Sequence, residues 1–109
     1  MSQLAQKSCR QFPAGTSPLT QEQIGAGLEQ LRGWEHREGA IGKTFSFKNF
    51  AETMAFVNGV AWIAAREDHH PDMHVGYDKC RIAYSTHSVG GISENDFICA
   101  AKIEALCAI

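Results

Sequence analysis

Two short stretches of strict alternation limit what this chain can fold into more than any other feature. Between Lys79 and His87, Cys80, Ile82 and Tyr84 alternate with Arg81, Ala83 and Ser85. Between Lys43 and Phe47, Phe45 and Phe47 alternate with Thr44 and Ser46. Successive side chains of a strand project to opposite faces, so each stretch has an apolar and a polar side. Strands of this kind belong in a sheet covered on one face, the habit of antiparallel sheets. His87 is expected to continue the Arg81 face.

The helical signals fall around these strands. Thr20 followed by Gln23 is a capping-box pattern, after which Ile24, Leu28 and Leu31 share a helical face and Gly33 is placed to end the helix. Trp34–Arg37 and Lys43–Phe47 read as strands joined through Gly39–Gly42. Asn49 and Glu52 open a second helix that runs to about Glu67 and is apolar on most sides, with Phe50, Met54, Phe56, Val57, Val60, Trp62 and Ile63. Pro71 breaks that pattern. Met73–Gly76 and Lys79–His87 form a second hairpin that turns near Tyr77 and Asp78. After Gly90 and Gly91, Ser93 and Asp96 cap a last helix carrying Phe97, Ile98, Ala101, Ile103, Leu106 and Ile109. That helix is apolar almost all round, more than one small monomer is expected to cover, which points to a subunit interface. The expected fold class is α+β: a four-stranded antiparallel sheet with three helices packed on one face, in the order α-β-β-α-β-β-α. Residues 1–18, with Pro13, Gly15 and Pro18 and little apolar pattern, are expected to be a loosely ordered leader; residues 19–109 form a single domain.

Composition narrows the function classes. The chain has 109 residues, 44% of them apolar and 20% charged, with a formal net charge of -2. No block of Lys and Arg marks a nucleic-acid surface. No apolar run suits a signal peptide or a membrane span, so a cytoplasmic protein is expected. Cys9, Cys80, Cys99 and Cys107 form no C-x-x-C pair and read as reduced, buried thiols.

The chemistry rests on the histidines. His69, His70 and His87 lie near element ends, with His74 opening the following strand and His36 in the first hairpin. Imidazole, with an ordinary pKa of about 6.5, gains and loses protons near neutrality, so histidines at loop ends are candidates for acid–base work. Adjacent His69 and His70 chelate one ion poorly and no cysteine lies at a supporting distance, so no metal is expected. Ser85, Ser88 and Ser93 stand near the histidines without a nucleophile elbow.

The run Asp68-His69-His70-Pro71 resembles the signature of the pterin-4a-carbinolamine dehydratases. Tyr77, then Tyr84-Ser85-Thr86-His87 and Ile92-Ser93-Glu94-Asn95-Asp96, follow at that family's spacing, and Leu31-Arg32-Gly33-Trp34 is similar to its first strand entry. Ala65 stands where the family often has a polar residue, and Met73 where it often has an aromatic one. The resemblance implies dehydration of a 4a-hydroxytetrahydropterin to quinonoid dihydropterin, supporting tetrahydrobiopterin recycling for aromatic amino acid hydroxylation. It implies His69, His70 and His87 as catalytic residues. Asp68, Pro71, Met73, Ser85 and Thr86 would contact substrate, and Asp96 would cap its helix and orient a histidine. No cofactor is implied, the pterin being substrate. The implied partners are the pterin and a second copy of the chain, as homodimer or homotetramer, with a coactivator-type protein partner as a secondary role. Neither nucleic acid nor membrane is implied as a direct partner.

Overall fold

The computed structural model describes residues 3–108. The elements are α1 (Gln21–Glu29), β1 (Glu35–Arg37), β2 (Ala40–Ser46), α2 (Phe50–Glu67), β3 (Asp72–Val75), β4 (Lys79–Tyr84) and α3 (Glu94–Cys107). Short 3-10 turns lie at Gln3–Gln6 and His87–Val89. The strands form one antiparallel sheet in the order β1-β2-β4-β3. This is the α+β architecture expected from the sequence, with helix and strand order matching.

The alternation sets the register. Ile41, Lys43 and Phe45 of β2 stand opposite Tyr84, Ile82 and Cys80 of β4. Phe45, Ile41, Cys80, Ile82 and Tyr84 are buried in one cluster with Phe56, Val60 and Ile63 of α2 and Phe97, Ala101 and Ile103 of α3. The opposite face carries Thr44, Arg81 and His74. Phe45 and Phe56 have ring centroids 4.6 Å apart, and Phe47 and Phe56 5.1 Å. Each such aromatic pair adds about 0.5–1.5 kcal/mol beyond the area it buries. Trp34 packs edge-on against Phe45, and its Nε1 donates to Glu104 at 2.9 Å.

Several boundaries differ from the sequence reading. The first hairpin turns at Glu38 and Gly39, with φ of 55° and 78°, rather than across Gly39–Gly42. Two left-handed residues in succession match the twist of the flanking strands, which frees Ala40 to Gly42 to pair. α1 stops at Glu29, before Gly33, because Leu31 and Trp34 already bond back in tighter turns to Leu28 and Leu31. Asn49 caps α2, but Glu52 reaches back to the Lys48 amide rather than to that of Asn49. Tyr77 is 66% exposed at its turn. Of the thiols, Cys107 is exposed and Cys9 half-buried; all four are free.

Two larger differences concern the chain ends. The leader is not loose: Leu4, Ala5 and Cys9 pack against the core. Lys102 Nζ donates to the Ala5 carbonyl, and the Cys9 amide donates to Glu67 Oε1 at 2.8 Å. Most of the apolar surface of α3 is covered within the monomer: Phe97, Ile98, Ala101 and Ile103 are buried, and Leu106 is half-buried. Ile109 lies outside the described residues. The large apolar side chains left exposed sit instead on α2 and the β3 edge, among them Trp62 at 62% and Phe50 at 50%.

Candidate active site

α2 ends where Pro71 forbids further helix. Its C-cap, Asp68, takes the left-handed conformation with φ 54° and ψ 43°, a region that Asp tolerates better than most residues. This turn carries His69 towards the start of α3. From the other side, β4 ends at Tyr84, and Thr86 pairs with Gly91 as an isolated bridge. The 3-10 turn between them closes through Gly90, at φ 72°. His87 therefore opens that turn and does not continue the Arg81 face of β4, contrary to the sequence expectation.

The two approaches meet at Asp96, which is completely buried. His69 Nε2 lies 2.6 Å from Asp96 Oδ1. Oδ2 accepts from the Ser93 amide and from Thr86 Oγ1, both at 2.9 Å. Thr86 has spent its hydroxyl hydrogen on the carboxylate, so Ser93 Oγ donates to Thr86 Oγ1 at 2.7 Å while accepting from the Asn95 amide. Asp96 is thus an acceptor throughout, the hydrogen sits on His69 Nε2, and Nδ1 is left to exchange a proton with a ligand.

Burial by itself would lower the pKa of His69. The hydrogen bond to Asp96 and the negative charge of that carboxylate outweigh that effect, and the net shift is upward from 6.5. The His69 ring also stacks on Tyr84, with centroids 5.4 Å apart and planes 18° from parallel. A ring held on an edge and a face has little freedom to turn.

His69 opens onto a cavity of about 250 Å³. Asp68, Thr86 and Ser88 line it from the α2 end and the β4–α3 connection. Arg10, Gln11, Phe12 and Asn95 complete it. Of the residues singled out in the sequence, the structure brings together Asp68, His69 and Thr86, with Asp96 behind. His70 and His87 are exposed, each next in sequence to a lining residue, and neither lines it. His70 Nδ1 lies 3.3 Å from the Pro71 carbonyl. Pro71 is buried, Ser85 is half-buried, and Met73 sits 37% exposed on β3 opposite Ile82; none of these three lines the cavity. Sequence reasoning missed Arg10, Gln11 and Phe12, because nothing in their local pattern marks a long-range contact.

In this small α+β domain a buried helix-capping carboxylate grips an imidazole beside a cavity, an arrangement that can exchange a proton with a bound molecule. Residues 17–106 match the pterin 4 alpha carbinolamine dehydratase family, and the chain belongs to it. A relative from Nitrosospira multiformis is 57% identical over 103 residues, covering 94% of this chain and 91% of its own length. One from Stenotrophomonas maltophilia is 52% identical over 105 residues, covering 94% and 90%. Both carry provisional pterin-4-alpha-carbinolamine dehydratase names. The crystal structure of a transcriptional coactivator/pterin dehydratase from Brucella melitensis superposes with a TM-score of 0.79 at 32% identity, over 83% of this chain and 98% of that one. A pterin dehydratase-like RuBisCO assembly factor of the alpha-carboxysome, 23% identical with a TM-score of 0.56 over 67% of this chain and 84% of that one, shares the fold.

Proposed function

We propose that this protein dehydrates 4a-hydroxytetrahydropterin to quinonoid dihydropterin by histidine acid–base chemistry. The observation that carries the reading is the 2.6 Å contact between His69 Nε2 and the buried Asp96, at the edge of a cavity. In the reaction the ring-nitrogen lone pair expels the hydroxyl from the adjacent carbon. An acid protonates the departing oxygen and a base takes the ring proton, so that one water leaves and no bond to the protein forms. A histidine whose pKa is raised is suited to be the acid at neutral pH. His69 delivers its Nδ1 proton to the hydroxyl, His87 accepts the ring proton, and His70 orients the ring. Asp68 and Thr86 line the same cavity and contact the substrate.

Acid–base help of this kind accelerates a reaction about 10²–10⁴-fold. The test follows the absorbance change as the carbinolamine dehydrates, without added metal. His69→Ala combined with His87→Ala should lose most of the acceleration while staying folded. Retained activity in the double variant refutes the role assignment, and activity removed by a chelator and restored by zinc replaces it with a metal mechanism. The reading places the protein in the cytoplasm, where it would return tetrahydrobiopterin to hydroxylation of aromatic amino acids.

A second reading concerns association. A largely apolar groove of about 460 Å³ runs between α2 and α3, lined by Gly59, Trp62, Ile63, Ala105 and Leu106, with Trp62 largely exposed. Its composition favours self-association, by which light scattering would report a mass above that of one chain. The Brucella protein's coactivator description keeps a protein partner as the secondary role.

A further inference from the structure

The first stretch of the chain reaches the cavity through a specific clamp. Asn95, buried at the start of α3, uses both ends of its amide on one residue of the N-terminal segment. Its Oδ1 accepts from the Arg10 amide at 3.1 Å, and its Nδ2 donates to the Arg10 carbonyl at 2.7 Å. One position earlier, the Cys9 amide donates to Glu67 Oε1 at 2.8 Å. Asn95 and Glu67 belong to the two helices whose ends carry Asp96 and His69, so the segment is tied to the elements that carry the candidate acid.

The clamp fixes the side chains that follow. The Arg10 guanidinium lies 4.4 Å from the centroid of the Phe12 ring, and both residues line the cavity that holds His69. A guanidinium stacked on an aromatic ring presents a flat surface edged with donors. Asp68 adds a carboxylate to the same cavity. Residues 10 and 12 precede the stretch 17–106 that matches the family.

We infer that Arg10 and Phe12 form a substrate-binding wall, in which the stacked pair packs on the flat heterocycle and Arg10 donates to its carbonyl oxygen or ring nitrogens. The inference rests on the proposed dehydratase reading and adds where the ring's binding energy arises. The ligand edge implied is an acceptor beside an amino donor, matched by Arg10 and Asp68 respectively. That edge is the one a 2-amino-4-oxo pteridine presents. The wall binds without touching the leaving hydroxyl, so it raises affinity for substrate and transition state alike.

The clamp holds residue 10 by its backbone, so the side chains can be removed while the segment stays in place. Arg10→Ala combined with Phe12→Ala should keep the melting temperature of the full chain. It should raise KM for 4a-hydroxytetrahydropterin about tenfold, with kcat within about twofold, in the range that stacking contacts contribute. The dissociation constant for 7,8-dihydrobiopterin, measured by calorimetry, should weaken by the same factor. Asn95→Ala, which releases the segment while leaving both side chains, should raise KM in the same direction. KM and pterin affinity unchanged in the double variant of an active enzyme overturn the wall and leave the dehydratase reading intact. A fall in kcat at constant KM also overturns it. Full-length protein that neither binds the dihydropterin nor dehydrates the carbinolamine overturns both.

Discussion

Replacing Asp96 with asparagine removes a charge and leaves the shape. Wild-type Asp96 accepts three hydrogen bonds with no exposure to water: from His69 Nε2, Thr86 Oγ1 and the Ser93 amide. The substituted amide can keep its oxygen towards Thr86 and Ser93, which turns its NH2 group towards His69. The imidazole must then offer a lone pair at Nε2, moving its own hydrogen to Nδ1. It also loses the carboxylate that raises its pKa, while the burial that lowers it remains. Hydrogen bonds to charged groups contribute about 1.5–3 kcal/mol each, so Asp96→Asn should destabilise the fold by about that amount at pH 6.

The cost depends on pH in a defined direction. With its folded pKa above the unfolded value, wild-type His69 contributes stability that is complete below about pH 6.5 and is lost as pH rises through the folded pKa. In the variant the pKa falls below 6.5, and protonation at low pH opposes folding. The wild-type advantage, read from urea denaturation, should therefore be larger at pH 6 than at pH 9. NMR titration of the His69 ring should show its midpoint moving from above 6.5 to below it. Dehydratase activity at pH 7 should fall on the order of 10²-fold, as the acid form is depleted and the tautomer is reversed. An equal loss of stability at both pH values, or a His69 midpoint unmoved by the substitution, refutes the coupling.

Three further outcomes follow from packing and thiol geometry. A Cβ at Gly27 would lie 2.6 Å from Cε1 of the buried Phe97 ring, whereas one at Gly25 meets nothing within 4 Å. Alanine gains up to about 1 kcal/mol of helix propensity at either place, but overpacking costs about 1–3 kcal/mol. Gly25→Ala should thus raise the melting temperature and Gly27→Ala lower it; the reverse ranking defeats the packing argument. The Tyr84 hydroxyl is buried beside the Cys99 thiol, a weak partner, and makes no hydrogen bond of ordinary geometry among the described residues, so Tyr84→Phe should be neutral or stabilising in urea while retaining the stack on His69. Cys9 and Cys99 have sulfurs 3.5 Å apart, and the contact with Cys9 holds the Cys99 thiol below its ordinary range. Diamide, a two-electron oxidant that takes up both thiol hydrogens, should cross-link these two. Mass spectrometry should find the linked peptide, and Cys9→Ser should abolish it.

Local pattern made the element order legible. The period-two runs around Phe45 and Ile82 named the covered face. Thr20–Gln23 and Ser93–Asp96 form the full capping boxes their spacing suggests. The dual service of Asp96 was anticipated because a cap position and a motif position coincide there. What escaped the sequence depends on contacts between distant segments. The pinning of residues 4–10 comes from Asn95, Glu67 and Lys102, each more than fifty positions away. No periodicity announces such a bond, and the prolines nearby suggested the opposite. His87 was misplaced for a related reason: the Thr86–Gly91 bridge ends the strand, and only the folded loop reveals it.

The carboxylate at position 96 answers to two masters, the helix it starts and the ring it grips. A descendant that abandoned the reaction would still need something to satisfy the Ser93 amide and the Thr86 hydroxyl, and selection for folding alone would preserve the acid. Among relatives, then, an Asp at this place is a poor witness to activity. The imidazole opposite it caps no helix, and it is the residue whose loss would more readily mark a lineage that kept the scaffold and gave up the chemistry.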